Sequence, residues 1–139
     1  MVFYEAVVTT KWTTHFHDLT RLVKNMSLEI VNNGGVVRAV HNHGVRDLPH
    51  RFKARYRDAA GKRYFRKGRF FSVYYESNPE VRDQVEQICK LNEEVLRSTT
   101  LKARSILDVV NVQVPKKNPF LTKEHRHSGI DFEKVMKKE

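Results

Sequence analysis

The sequence predicts an α+β fold: two helices covering one face of a four-stranded antiparallel sheet, in the order strand, helix, strand, strand, helix, strand. Three observations carry this expectation. Apolar residues follow strand-like patterns in four segments and recur at three and four residues in two longer ones. Gly34-Gly35 and Asn78-Pro79-Glu80 punctuate the chain where one helix would end and another begin. The most basic stretch, Arg46 to Arg69, falls between the second and third strands, where a hairpin would carry it beyond the core.

Taken in order, Val2 to Val8 opens the chain with Val2, Tyr4, Ala6 and Val8 alternating against Phe3, Glu5 and Val7. Both sets are mostly apolar, which suits a central strand covered on much of both faces. Thr13 or Thr14 is the expected cap of the next element. From Phe16 to Asn33, the positions Phe16, Leu19, Val23, Met26 and Ile30, with Leu22 beside them, define one apolar face of a helix. Gly34-Gly35 ends it, because glycine takes the left-handed terminal conformation freely.

Val36 to Val45 reads as a second strand between Gly35 and Gly44. Pro49 excludes regular central pairing beyond it. Ala59-Ala60-Gly61 is the expected turn of a long hairpin whose arms diverge into charged, mobile backbone. Gly68 to Glu76 is the third strand, with Phe71, Val73 and Tyr75 on one face and Phe70, Ser72 and Tyr74 on the other. Asn78, Pro79 and Glu80 supply a capping side chain, a first-turn proline and an acid at the positive dipole end. Val81, Val85, Ile88 and Leu91 form the expected buried stripe of the second helix. Val95 to Leu101, rich in β-branched residues, is the fourth strand.

Two split βαβ units of this kind interleave into one sheet with both helices on one side. Right-handed crossovers favour the strand order 4-1-3-2. This scaffold occupies residues 1–104. Residues 105–139 form a basic C-terminal extension: SILDVVN is a short apolar piece, Pro115 and Pro119 break regular structure, and a short helix from Ile130 to Met136 is expected. The extension buries little surface of its own and is expected to order on a partner.

The 139 residues suit one ordinary domain with a tail, and the formal net charge of +10 points to a phosphate-rich partner. No run of about 18 apolar residues is present, so no membrane-spanning helix is expected. Cys89 is the one cysteine, which leaves no internal disulfide and no cysteine metal cluster, and a reducing compartment is the default. The opening MVFYEAVVTTKW resembles neither a secretory signal nor a transit peptide, so organellar import would use an internal or uncleaved signal.

The charge is concentrated. Arg46, Arg51, Lys53, Arg55, Arg57, Lys62, Arg63, Arg66, Lys67 and Arg69 stand against Asp47 and Asp58, a net +8 in 24 residues. Phe52, Tyr56, Tyr64, Phe65 and Phe70 lie among them. Cations interleaved with rings suit nucleic acid, whose phosphates pair with the cations and whose bases stack on the rings. A merely solvated loop would carry more acids. These ten cations are the candidate RNA-binding residues. A membrane-surface role lacks the necessary amphipathic helical period.

Other chemistry is weakly signalled. His41 and His43 share a strand face and could reach one ion, as in some nucleases that cut single strands, but Asn42 stands where those carry a bulky apolar residue and no acid supplies an obvious third ligand. His15-x-His17, His125-x-His127 and His50 invite the same metal reading, but a histidine near phosphates or in a protein contact is the preferred one. Cys89 adjoins the apolar stripe of the second helix and reads as a small semi-buried side chain. No glycine-rich GK[ST] phosphate loop occurs. The sequence therefore predicts no catalytic residue, no cofactor, no metal and no small-molecule substrate. Lys67 to Tyr74 (KGRFFSVY) resembles the first RNA-binding motif of RNA-recognition-motif domains at Lys67, Gly68, Phe71 and Tyr74, and departs from it at Arg69, Phe70 and Ser72. A sheet face that reads single-stranded RNA is thus the alternative within the same fold.

Several elements together resemble ribosomal protein six of the bacterial-type small subunit. They are Tyr4-Glu5, Gly34-Gly35-Val36-Val37-Arg38, Gly44-Val45-Arg46-Asp47-Leu48-Pro49, the aromatic strand Phe70 to Tyr75, and Val95-Leu96-Arg97-Ser98-Thr99-Thr100-Leu101-Lys102. The match covers about residues 2 to 104. His50 and Phe52 replace the Tyr and the Ile or Val of the bacterial pattern. These departures, the denser hairpin charge and the extension resemble fungal mitochondrial versions of the family. The resemblance implies a ferredoxin-like fold and a structural, non-catalytic role in translation on the mitochondrial ribosome. It also implies binding to small-subunit rRNA, and contacts with ribosomal protein eighteen and other small-subunit proteins through the sheet edge and the tail.

Overall fold

The structure, a computed structural model, describes residues 1–103. The chain forms β1 (Val2–Lys11), α1 (Phe16–Asn32), β2 (Val36–Lys53), β3 (Tyr64–Ser77), α2 (Pro79–Leu91) and β4 (Val95–Lys102). The four strands make one antiparallel sheet in the order β2-β3-β1-β4, which is the expected 4-1-3-2 read from the other edge. Arg104 and the extension lie outside the described residues. So do the SILDVVN piece, the His125–His127 pair and the expected helix from Ile130 to Met136.

One face of the sheet carries both helices. Tyr4, Ala6 and Val8 of β1 and Phe71, Val73 and Tyr75 of β3 pack with Leu19, Leu22, Met26 and Ile30 of α1 and Val81, Val85 and Cys89 of α2. The period-two and helical patterns meet in this single core. Two expected core residues fall outside it: Phe16 and Leu91, at the ends of their stripes, are each 71% exposed. Leu22 is buried with the rest of the α1 face, and Cys89, beside the predicted stripe of α2, is buried as well.

The helix ends show which local signals succeed. The Gly35 N–H donates to the Ile30 carbonyl at 2.8 Å and the Gly34 N–H to the Val31 carbonyl at 3.0 Å, with Gly34 at φ 77°. This is the paired C-terminal motif that a left-handed glycine permits. Gly35 answers a second constraint, since a Cβ there would sit 2.7 Å from the Glu76 carbonyl oxygen. The N-terminal expectation is corrected. His15, not Thr13 or Thr14, precedes α1, and no side chain caps it. The Thr14 hydroxyl donates to Glu94 Oε2 at 2.7 Å and the Thr13 hydroxyl to Asp58 Oδ2 at 2.9 Å, so carboxylates from elsewhere take both groups. Asn78 precedes α2 with Pro79 in the first turn, but its side chain makes no capping bond.

The second and third strands run further than their patterns indicate. β2 does not stop at Gly44: the register shifts there, beside Gly44 at φ 78°, and pairing resumes. Pro49 is tolerated because β2 is an edge strand and because the ladder breaks around it. Asp47 faces Lys67 and Phe52 faces Phe65, so Leu48, Pro49, His50 and Arg51 together oppose Arg66 alone. That wide bulge folds Leu48 inward, where it joins Ala54 and Phe65 in a second buried cluster flanked by Phe52, Phe70 and Leu96. The hairpin arms therefore re-pair beyond the bulge instead of diverging.

Candidate nucleic-acid interface

The arm is built by three local devices. The bulge places Leu48 in the second cluster while leaving Pro49 and His50 exposed. Beyond it, Lys53 faces Tyr64 across the ladder and Phe52 faces Phe65, so cations and phenyl rings alternate between faces. The turn closes through the Gly61 N–H to the Asp58 carbonyl at 2.8 Å and the Asp58 N–H to the Lys62 carbonyl at 2.8 Å. Asp58 then ties the tip to the body by accepting from Thr13.

The ten candidate cations do not form one patch. Arg51, Lys62, Arg66 and Lys67 line a cleft of about 370 Å³ together with Trp12, Tyr64 and Phe65. No acid lines it. Trp12 and Tyr64 are large rings exposed by 42% and 49%, and the Arg51 guanidinium carbon lies 4.9 Å from the Tyr64 ring centre. Lys53 is exposed opposite Tyr64. Arg46 donates from Nε to the His43 carbonyl at 3.3 Å, and Arg63 from Nε to the Ala54 carbonyl at 3.3 Å. Arg55 donates to the Lys90 carbonyl at 3.0 Å. Arg57 borders a depression that also holds Asp18, Asp58, Glu93 and Glu94. Arg69 lies on the helix side, where its buried Nε has no hydrogen-bond partner, beside a mostly apolar groove of about 500 Å³ between α1 and β2.

Trp12 is the residue that sequence reading missed. It follows β1 directly, and the β1–β3 register, with Lys11 opposite Gly68, brings it beside the start of β3. The one tryptophan of a basic chain was a usable signal, but only the register shows which cations it joins.

His41 and His43 both sit over the sheet face away from the helices. His43 Nε2 is 2.8 Å from Ser72 Oγ, and His41 meets the Tyr74 ring edge-on. Burial, then Arg46 and His41, hold the His43 imidazole below its ordinary 6.5, while Glu5 opposes them. Among the described residues, no group of three His, Cys, Asp or Glu could hold a metal ion. Cys89 is buried with its thiol 3.7 Å from Met26 Sδ, and burial pushes it up to about 12. Among the described residues, no helix is long and apolar enough to cross a membrane. Phe71, which carries part of the likeness to an RNA-recognition motif, faces the helices and is 4% exposed, so it presents no ring to a strand on the open face. Tyr74 faces away from the helices but stacks near Phe3 and donates to Glu5 Oε1 at 2.8 Å.

Fold and surface together define a ferredoxin-like α+β sandwich bearing a basic, aromatic arm. The chain matches the family model described as "Ribosomal protein S6" over residues 3–102, and it belongs to that family. It is 26% identical to the small ribosomal subunit protein bS6 of Rickettsia canadensis (strain McKiel) over 106 residues, which cover 76% of this chain and 79% of that one. The bS6 protein of Rickettsia prowazekii (strain Madrid E) is similar to the same extent, 26% over 106 residues, with 76% and 79% covered. Among solved structures, the crystal structure of 30S ribosomal protein S6 from Thermotoga maritima shares the fold, with a TM-score of 0.59 at 15% identity, covering 78% of this chain and 91% of that one. The chain is accordingly a structural protein of the small ribosomal subunit, acting in translation. The elements that carried the resemblance are architectural here: Gly44 sits at a register shift, Arg46 binds the His43 carbonyl, and Leu48-Pro49 makes the bulge.

Proposed function

We propose that the protein is a non-catalytic constituent of the mitochondrial ribosome's small subunit. Its basic arm binds small-subunit rRNA, with the ten cations from Arg46 to Arg69 as the pool from which phosphate contacts are drawn. The scaffold of residues 1–104 holds the arm, and the extension, residues 105–139, reaches neighbouring proteins. The single observation that carries this reading is the cleft in which, among the described residues, four cations and no acid surround exposed rings. Arg guanidinium groups fork onto phosphate or stack on bases, while Lys acts as a point charge.

Ribosomal protein eighteen is assigned to the β2 edge of the sheet. Val36 and Val40 are exposed on that strand, and the adjoining groove is lined by Phe16, Leu19, Val23 and Phe71. An apolar surface of this kind suits a protein neighbour better than a polyanion. Mitochondrial placement is supported by the His50 and Phe52 departures and by the basic extension, both of which resemble fungal mitochondrial versions; the curated relatives named above are bacterial.

Sedimentation of a mitochondrial lysate tests the reading. The protein is expected to travel with the mitochondrial small subunit and to leave it when Arg51, Lys62 and Arg66 are changed to Glu. A protein found only in the light fractions, or in particles outside mitochondria, would overturn the assignment.

A further inference from the structure

The cleft between Trp12 and Tyr64 has features that phosphate binding alone does not call for. Phosphates need cations and amide donors, not indoles. Yet the only tryptophan of the chain is held at the cleft, 42% exposed, at the end of β1. Its position is not loose. Lys11, one residue earlier, is 1% exposed and is fixed by its N–H to the Glu94 carbonyl at 3.0 Å and its Nζ, 3.7 Å from Glu94 Oε1. In the same lining the Tyr64 ring is already covered by the Arg51 guanidinium at 4.9 Å, an arrangement that extends a flat, positively charged platform. Lys62, Phe65, Arg66 and Lys67 also line it.

We infer that this cleft seats one unpaired RNA base, which stacks on the Trp12 indole while the flanking phosphates meet Lys62, Arg66 and Lys67. The inference rests on the rRNA-binding reading above and adds to it the class of RNA feature that is recognised. A paired base offers no free face, because its neighbours in the helix occupy both. A bulged or loop nucleotide does, and aromatic side chains accept any base by this route. The arm would thus grip folded RNA where a base is turned out, with the other cations neutralising the adjoining backbone.

Because Trp12 is the one tryptophan, its fluorescence reports on the seat directly. The full chain is titrated with short oligoadenosine, with the same strand annealed to oligouridine, and with polyglutamate at matched ionic strength; binding is followed independently by anisotropy of the labelled polymer. Quenching of Trp12 by the single strand but not by the duplex is expected. Trp12→Ala should weaken single-strand binding by about 5- to 140-fold, the range for losing one stacked base, and Trp12→Phe should recover part of it. Thermal melting of both variants checks that they fold. RNA binding that leaves Trp12 fluorescence unchanged and is indifferent to Trp12→Ala would overturn the base seat while leaving the rRNA reading intact. Equal quenching by polyglutamate would overturn it in favour of a general acidic site. Absence of any RNA binding by the chain would overturn both.

Discussion

Arg55, near the tip of the basic arm, donates from Nη1 to the backbone carbonyl of Lys90 in the last turn of α2, at 3.0 Å and 35 residues away in sequence. A guanidinium at that position satisfies a carbonyl left open at a helix end and faces the negative end of the helix dipole. The arm is therefore held to the body through one of its own cations.

That contact separates two arginines that the sequence makes look alike. Arg55→Ala should lower stability by about 0.5–1 kcal/mol, a modest value because the bond is exposed. Arg57→Ala, two residues on, should change it by less than about 0.5 kcal/mol. Urea denaturation of the two variants beside the parent protein checks the difference. Equal losses would mean that the Arg55–Lys90 contact contributes nothing distinctive.

His43 gives the fold a pH dependence of definite sign. Its neutral ring is half-buried against Ser72, and burial, Arg46 and His41 all disfavour the protonated form, with Glu5 opposing. The folded-state value thus lies below the unfolded one, near 6.5. The stabilisation is fully present above pH about 6.5 and is lost as pH falls through the lower folded value. Urea midpoints measured at pH 7.5 and 5.5 should fall further for the parent than for His43→Gln. An identical drop in both would remove His43 from the account.

Much of the architecture was legible. Both helices begin at residues the patterns mark, since the spacing of Leu19, Met26 and Ile30 and the Pro79 signal are local facts. Strand order followed from connectivity and handedness alone. What was illegible depends on distant partners. Thr13 and Thr14 carry the right chemistry for capping, but Asp58 and Glu94 claim their hydroxyls, and no spacing rule foretells that. Pro49 reads as a strand breaker until the edge position of β2 and its bulge are known. The site divides in the same way. Clustering of cations between residues 46 and 69 was plain in the sequence. The division into a cleft around Trp12, a group bonded to backbone carbonyls (Arg46, Arg55 and Arg63) and the helix-side Arg69 required the register.

The central claim is that the arm holds RNA chiefly through its cations, and the salt dependence of affinity tests it most directly. With about six phosphates neutralised, the affinity of the full chain for a small-subunit rRNA fragment should fall with a log–log slope near −4 to −5. Replacing Arg51, Lys62 and Arg66 by Ala should make that slope shallower by about 2. A slope near zero, or one unchanged by the triple replacement, would contradict the account.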